Sequence, residues 1–378
     1  MLPRERVIAQ LKHEEPDLVP MGENHAHGEF MERVLGREIL YNSGFRELNA
    51  LWDGRRDEIV ADQIRVLSEL PCRLGWDYVR VPLSHRKKAY ARPRMTGEYS
   101  WVDEKGQEFF FNPVIGLEAT RKFNTEMTID DLPDPNEDFV VDPSEIECAR
   151  GVVEELKKTH FIIARLPVDG TLPYKPTVGI EEYLVRMITD PEFIHRASEV
   201  YVKRCIAYMK AFFEAGVDAV MPTDDYADNR GLMMGPERFK EFILPGIEMQ
   251  VAAAHSMGGY FIKHTDGNIW EALDDLVATG IDGWHGIQPS VGMDFKLLKE
   301  KFGSKICFFG GVNCETLISG SVEDVEREAR YAIEHAAPGG GHVLTSGNGL
   351  ENGTKFENYQ AMLRVRRDYG EYPLRRKG

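Results

Sequence analysis

The chain has 378 residues, 42% hydrophobic and 29% charged, with 46 Lys+Arg against 62 Asp+Glu and a net charge of −16. This composition excludes a disordered chain, and the acidic balance argues against nucleic acid or an anionic membrane as partner. Cys72, Cys148, Cys205, Cys307 and Cys314 form no CxxC pair and fit no disulfide framework, so a reducing cytoplasm is expected.

No apolar run approaches the ~18 residues of a spanning helix, and the opening MLPRERVIAQLKHEEPD lacks the apolar core of a signal peptide. A helical pattern over 4–13 leads to an expected strand at 18–22. Helical segments, including 55–74, precede a strand at 78–82. Residues 97–113, GEYSWVDEKGQEFFFNP, alternate apolar and polar around Glu104-Lys105-Gly106, which predicts an inserted β-hairpin. Its Phe109 to Phe111 are expected to pack on the body of the protein or on a partner chain. Residues 133–143 read as a surface loop and 144–159 as a helix. FIIARL at 161–166 reads as a buried strand. Asp190-Pro191 supplies a cap and first-turn pair for a helix running toward Gly216.

From there, apolar runs ending in MPTDDY, FIKHTDG, WHGIQP, FFGGVNC and VLTSGNG alternate with amphipathic stretches at 236–257, 269–279, 295–302 and 322–337. Strands near Leu18, Tyr78, Phe161, Asp218, Tyr260, Ile281, Ile306 and His342 make eight βα units. The expected class is α/β: a (β/α)8 TIM barrel with an N-terminal helical extension and the hairpin insertion at 97–113, one domain over 1–378. No GxGxxG follows the first strand, which weakens an open doubly wound sheet.

In a barrel the chemistry gathers where strands end. Those ends carry Glu23, Asn24, His25 and His27; Arg165 and Asp169; Asp224 and Asp225; His264 and Asp266; His285 and Gln288; Asn313 and Cys314; and Ser346 and Asn348. Such residues also cap helices and satisfy loops. The adjacent Asp224 and Asp225 repel each other unless a cation, donor or proton compensates.

The stretches TDDYADNRGLMMGPERFKEFILP, FIKHTDGNIWEALDDLVATGIDGWHGIQPS and PGGGHVLTSGNGLENGTKFENYQAML resemble the uroporphyrinogen decarboxylase superfamily, which includes zinc-dependent, corrinoid-linked methyltransferases. The resemblance implies a barrel with its site at the C-terminal mouth. Decarboxylase members carry an Arg-rich motif after the first strand, where this chain reads MGENHAHGEF, and an Asp after the second, where it reads VRVPLSH. The methyltransferase branch binds zinc through a His-x-Cys pair and a Cys in a GCG-type turn. Here these read His264-Thr265-Asp266 and Gly347-Asn348-Gly349, so a mixed imidazole, carboxylate and amide set is expected.

The expected activity is therefore methyl transfer between a small methylated donor, as in an O-demethylase, and a corrinoid (cobalamin) cofactor. Asp282-Gly-Trp-His285 has the wrong spacing for a DxHxxG corrinoid motif, so the corrinoid would be dissociable or borne by a separate corrinoid protein. A divalent metal, zinc among the candidates, would be held by His264, with Asp266, Asp225 and Cys314 as further candidates. Asp224 or His285 would deliver a proton to the leaving group. His25, His27, Glu23, Asn348 and Arg165 are the candidate substrate contacts, and a homodimer is compatible with the resemblance. The alternative reading is a decarboxylase or other lyase on a small carboxylated substrate, with Arg165, Lys263 and Lys355 as its cations.

Overall fold

The computed structural model describes residues 1–104, 106–113, 116–120, 122–166 and 169–374, and of Leu117 the backbone alone. Seven parallel strands form one curled sheet in the order β1-β6-β7-β8-β9-β10-β11. They are β1 (Tyr78–Val81), β6 (Phe161–Arg165), β7 (Ala219–Met221), β8 (Tyr260–His264), β9 (Gly283–His285), β10 (Cys307–Val312) and β11 (His342–Ser346). Four further strands, β2 (Arg94–Gly97), β3 (Ser100–Val102), β4 (Glu108–Asn112) and β5 (Leu117–Thr120), make a separate antiparallel sheet.

The period of two along each strand divides the apolar residues between two cores. Tyr78, Phe161, Ile163, Ala219, Met221, Ile262, Cys307, Phe309 and Val343 face inward and pack together, with Val7 and Leu11 of the N-terminal helix Pro3–Leu11. Val79, Val81, Ile162, Ala164, Val220, Phe261, Phe308 and Leu344 face outward into the layer under the helices. The inward core fills the N-terminal half of the sheet, so the polar residues of the C-terminal strand ends stand above an apolar plug.

The strand expected at 18–22 is not one. Met21 makes a single parallel bridge to Leu344, and Pro20 has no N–H to extend a ladder. Leu344 N donates to Pro20 O at 2.9 Å and Asp77 N donates to Met21 O at 2.6 Å, so this segment still links β11 to the start of β1. The insertion is also larger than a hairpin. The β3–β4 pair matches Ser100 with Phe110 and Val102 with Glu108, and β2 and β5 flank it. Lys105, at the expected turn, lies outside the described residues. Phe109 and Phe111 do not pack on the strands of the parallel sheet. They join Trp101, Tyr99, Phe45 and Trp52, the last two on the helix Phe45–Trp52.

The helix Pro191–Ala215 starts as expected, with Asp190 accepting from Phe193 N at 3.3 Å, and stops at left-handed Gly216. The stretch 236–257 is one helical run broken by a π-helical turn, Phe239–Ile243. Among the described residues no helix is long and apolar enough to cross a membrane.

Candidate active site

Two polar layers meet the C-terminal ends of the strands. The strand period assigns each residue to one of them.

The inner layer contains His264 at the end of β8 and His285 at the end of β9, paired neighbours in the sheet register. Their Nδ1 atoms are 2.7 Å apart, and both rings are buried. His264 Nε2 points toward Asp225 Oδ1 at 3.7 Å and Asp266 Oδ1 at 3.8 Å. These separations are too long for hydrogen bonds. They are close to what two ligand atoms keep around one ion, about 3.4 Å for tetrahedral Zn–N and Zn–O bonds of about 2.1 Å. The candidate ligand atoms of Asp225, His264 and Asp266 all lie within 4.8 Å of one another.

The carboxylates are held from behind. Asp266 N donates to Asp225 Oδ1 at 3.0 Å, and Asn348 Nδ2 donates to Asp266 Oδ2 at 2.8 Å. Asp266 Oδ1 is buried with no hydrogen-bond partner among the described residues. Burial first, then the charges of Asp225, Glu351 and Glu315, push the Asp266 carboxyl up to about 8. Gly286 permits this approach: its φ is +100°, and a Cβ there would stand 2.6 Å from Asp266 Oδ1.

The Nδ1–Nδ1 contact couples the proton positions of the two histidines. Burial, then the neighbouring imidazole and Arg80, hold His264 well below its ordinary range, and burial then Arg80 lower His285 to about 3. Both are neutral, so one Nδ1 donates and the other accepts. The pairing that leaves the His264 Nε2 lone pair free toward the cluster puts its proton on Nδ1, donated to His285 Nδ1. The His285 proton then sits on Nε2, an atom that is buried and unpartnered among the described residues.

The outer layer holds a second network. Lys263 Nζ donates to Asp169 Oδ2 at 2.7 Å and to Asp224 O at 2.9 Å. Thr171 and Tyr226 hydroxyls also donate to Asp169. Asp169 N donates to Asp224 Oδ2 at 3.2 Å. Burial raises both carboxyls. Lys263 and the hydrogen bonds bring Asp169 back below its usual range, whereas the Asp169 charge drives Asp224 further up. Asp224 is therefore the protonated member, hydrogen-bonded away from the His264 cluster. Adjacent Asp225 points into that cluster.

The other candidates are dispersed. Glu23 is buried and takes the N–H and hydroxyl of Ser346, on the outward side of the sheet. Burial outweighs those bonds and pushes its carboxyl up to about 8. His27 caps the helix Gly28–Leu35. His25 Nε2 is 2.8 Å from Glu351 Oε1, at the rim beside Gly349. Cys314 Sγ accepts from Asn348 N at 3.3 Å and donates to Gly349 O at 3.4 Å, and burial raises its thiol to about 12. Lys355 Nζ is bound to Gly320 O at 3.2 Å. Arg165 ends β6 exposed, with no hydrogen bond or ion pair among the described residues.

Arg80 on β1 was not among the expected site residues. It is an arginine at an inward position of an apolar strand, and that placement was its one signal in the sequence.

Among known proteins, the family described as Uroporphyrinogen decarboxylase (URO-D) matches residues 125–369. The Methylcobamide:CoM methyltransferase MtaA of Methanosarcina barkeri is 25% identical over 228 residues, 60% of this chain and 64% of that protein. A uroporphyrinogen decarboxylase of Thioalkalivibrio sulfidiphilus is 27% identical over 183 residues, 46% of this chain and 48% of that one. The chain thus aligns with less than two thirds of the length of each. A solved methyltransferase from Methanosarcina mazei shares the fold, with a TM-score of 0.68 at 20% identity over 98% of this chain and 99% of that chain. With well over half of its length inside the family match, and with that fold, the chain belongs to the uroporphyrinogen decarboxylase family.

Proposed function

We propose that the chain is a methyltransferase-like enzyme that moves a methyl group between a small methylated donor and a corrinoid, the corrinoid being dissociable or carried by a separate protein. The observation that carries this reading is the Asp225–His264–Asp266 cluster at the mouth of the sheet, and the likeness to MtaA supports it. We further read the bridged segment 19–22 as the eighth member of a closed (β/α)8 barrel within one domain.

The donor set fits a divalent cation. It offers one neutral imidazole nitrogen and two carboxylates, one of them with an orphaned buried oxygen, and no thiolate. His264, Asp225 and Asp266 would hold the ion. When bound, such a cation supplies Lewis acidity toward the heteroatom of the donor. Asn348 fixes the Asp266 carboxylate. His285 fixes the His264 ring and presents Nε2–H as a hydrogen-bond donor toward a leaving oxygen, nitrogen or sulfur. Asp224, committed to Asp169, keeps its proton for the buried network.

The lyase reading has less support. Two of its three cations, Lys263 and Lys355, are occupied by Asp169 and by backbone carbonyls.

Metal analysis of the purified protein, followed by cobalt absorbance during methyl transfer, tests the proposal. A stoichiometric divalent metal, lost in His264→Ala together with methylation of Co(I), is the expected result. Failure of methoxylated aromatics, methylamines and thioethers alike to methylate Co(I), with carbon dioxide released from a carboxylated compound instead, would move the chain to the lyase reading.

A further inference from the structure

Arg80 and Arg165 lie on adjacent parallel strands, with Arg80 beside Ile163 in the register. Tyr78 and Ile163 belong to the inward core, whereas Val79, Val81, Ile162 and Ala164 belong to the outward one. The strand period therefore turns both arginines inward, with Arg165 one inward position nearer the mouth. Arg80 is 6% exposed. Its Nη1 donates to Asn24 O at 3.2 Å, while Nε and Nη2 have no partner among the described residues. Arg165 is exposed and equally unpaired. A buried guanidinium with two idle donors is costly to keep. In a chain with 16 more acidic than basic residues, two neighbouring guanidiniums with no carboxylate partner among the described residues suit an anion.

Building on the methyltransferase reading, we propose that Arg80 and Arg165 form a carboxylate-binding subsite in the floor of the mouth, so that the small molecule turned over beside the His264 cluster carries a carboxylate. A carboxylate is planar and accepts from the guanidinium fork through both oxygens. A dianion such as phosphate would meet stronger repulsion from Asp225 and Asp266. The subsite opens on the same mouth as the cluster, because Arg80 and Arg165 occupy inward strand positions of the curled sheet, as His264 and His285 do.

Titration calorimetry on the full chain with 4-methoxybenzoate, its neutral isostere 4-methoxybenzamide, acetate and inorganic phosphate tests this. The benzoate is expected to bind at least tenfold more tightly than the amide. Arg80→Gln and Arg165→Gln should each erase most of that preference, and Arg80→Lys should restore part of it. Arg165 is exposed, so Arg165→Gln remains informative where Arg80→Gln does not fold. Equal binding of benzoate and amide, a preference that survives in Arg165→Gln, phosphate binding more tightly than the carboxylates, or no binding of any probe would each overturn the proposal. Cobalt absorbance on the same samples separates the two readings. Carboxylate preference without methyl transfer sinks the methyltransferase reading alone. Methyl transfer from neutral donors without that preference sinks the subsite alone.

Discussion

His264 and His285 face each other through their Nδ1 atoms at 2.7 Å, and this contact sets the direction of both rings. A ligating histidine is commonly oriented by a hydrogen bond to its other nitrogen, and losing that partner costs about 10–100-fold in metal affinity. His285→Phe keeps the ring volume and removes the acceptor. Metal affinity should fall by one to two orders of magnitude, measured by competition with a chromophoric chelator. Unchanged affinity would show that His264 is oriented without His285.

Cys314 offers the opposite outcome. The sequence made it a candidate ligand, but its sulfur is spent on Asn348 N and Gly349 O, and burial keeps it a thiol rather than the thiolate that metals bind. Cys314→Ser should retain full metal content by elemental analysis, with a melting temperature lowered by a few degrees at most. Stoichiometric loss of metal would make Cys314 a ligand.

The long β-rich runs were legible because each alternates against two apolar cores, and seven of the eight expected strands begin within two residues of their place. Residues 18–22 were not, because a bridge held by backbone atoms around Pro20 leaves no side-chain pattern. At the site, the strand period decided more than residue type. Asp224 and Asp225 looked like one acidic pair, yet consecutive residues point to opposite faces, so one joined Asp169 and the other His264. The partnership of Lys263 with Asp169 spans 94 positions, and nothing local in the sequence announces it.

Glu23 gives the protein a pH dependence. Its carboxyl is raised from 4.5 to about 8 by burial, so the folded state favours the protonated form. The stability from that proton is fully present below the unfolded pKa and is lost as pH rises through about 8. Glu23→Gln keeps an amide where the acid was and removes the titration. Urea unfolding should show wild type losing on the order of a few kcal/mol, relative to the variant, between pH 5 and pH 8.5. Parallel pH profiles for the two proteins would contradict this.

Lys263 is fully buried, and its ammonium also lies over the Tyr226 ring at 4.4 Å. Among the described residues it is the one cation in direct contact with Asp169, whose neighbour Asp224 already holds the proton the pair can share. Lys263→Met fills similar volume but strands the Asp169 charge, and breaking a buried pair on one side costs about 3–5 kcal/mol. Adding Asp169→Asn to Lys263→Met removes the stranded charge and should recover a large part of that loss. Chemical denaturation of the two single variants and the double variant measures the coupling. If the double variant is as unstable as the sum of the singles, Lys263 acts by packing alone, and the buried network carries no electrostatic role in holding the strand ends beneath the His264 cluster.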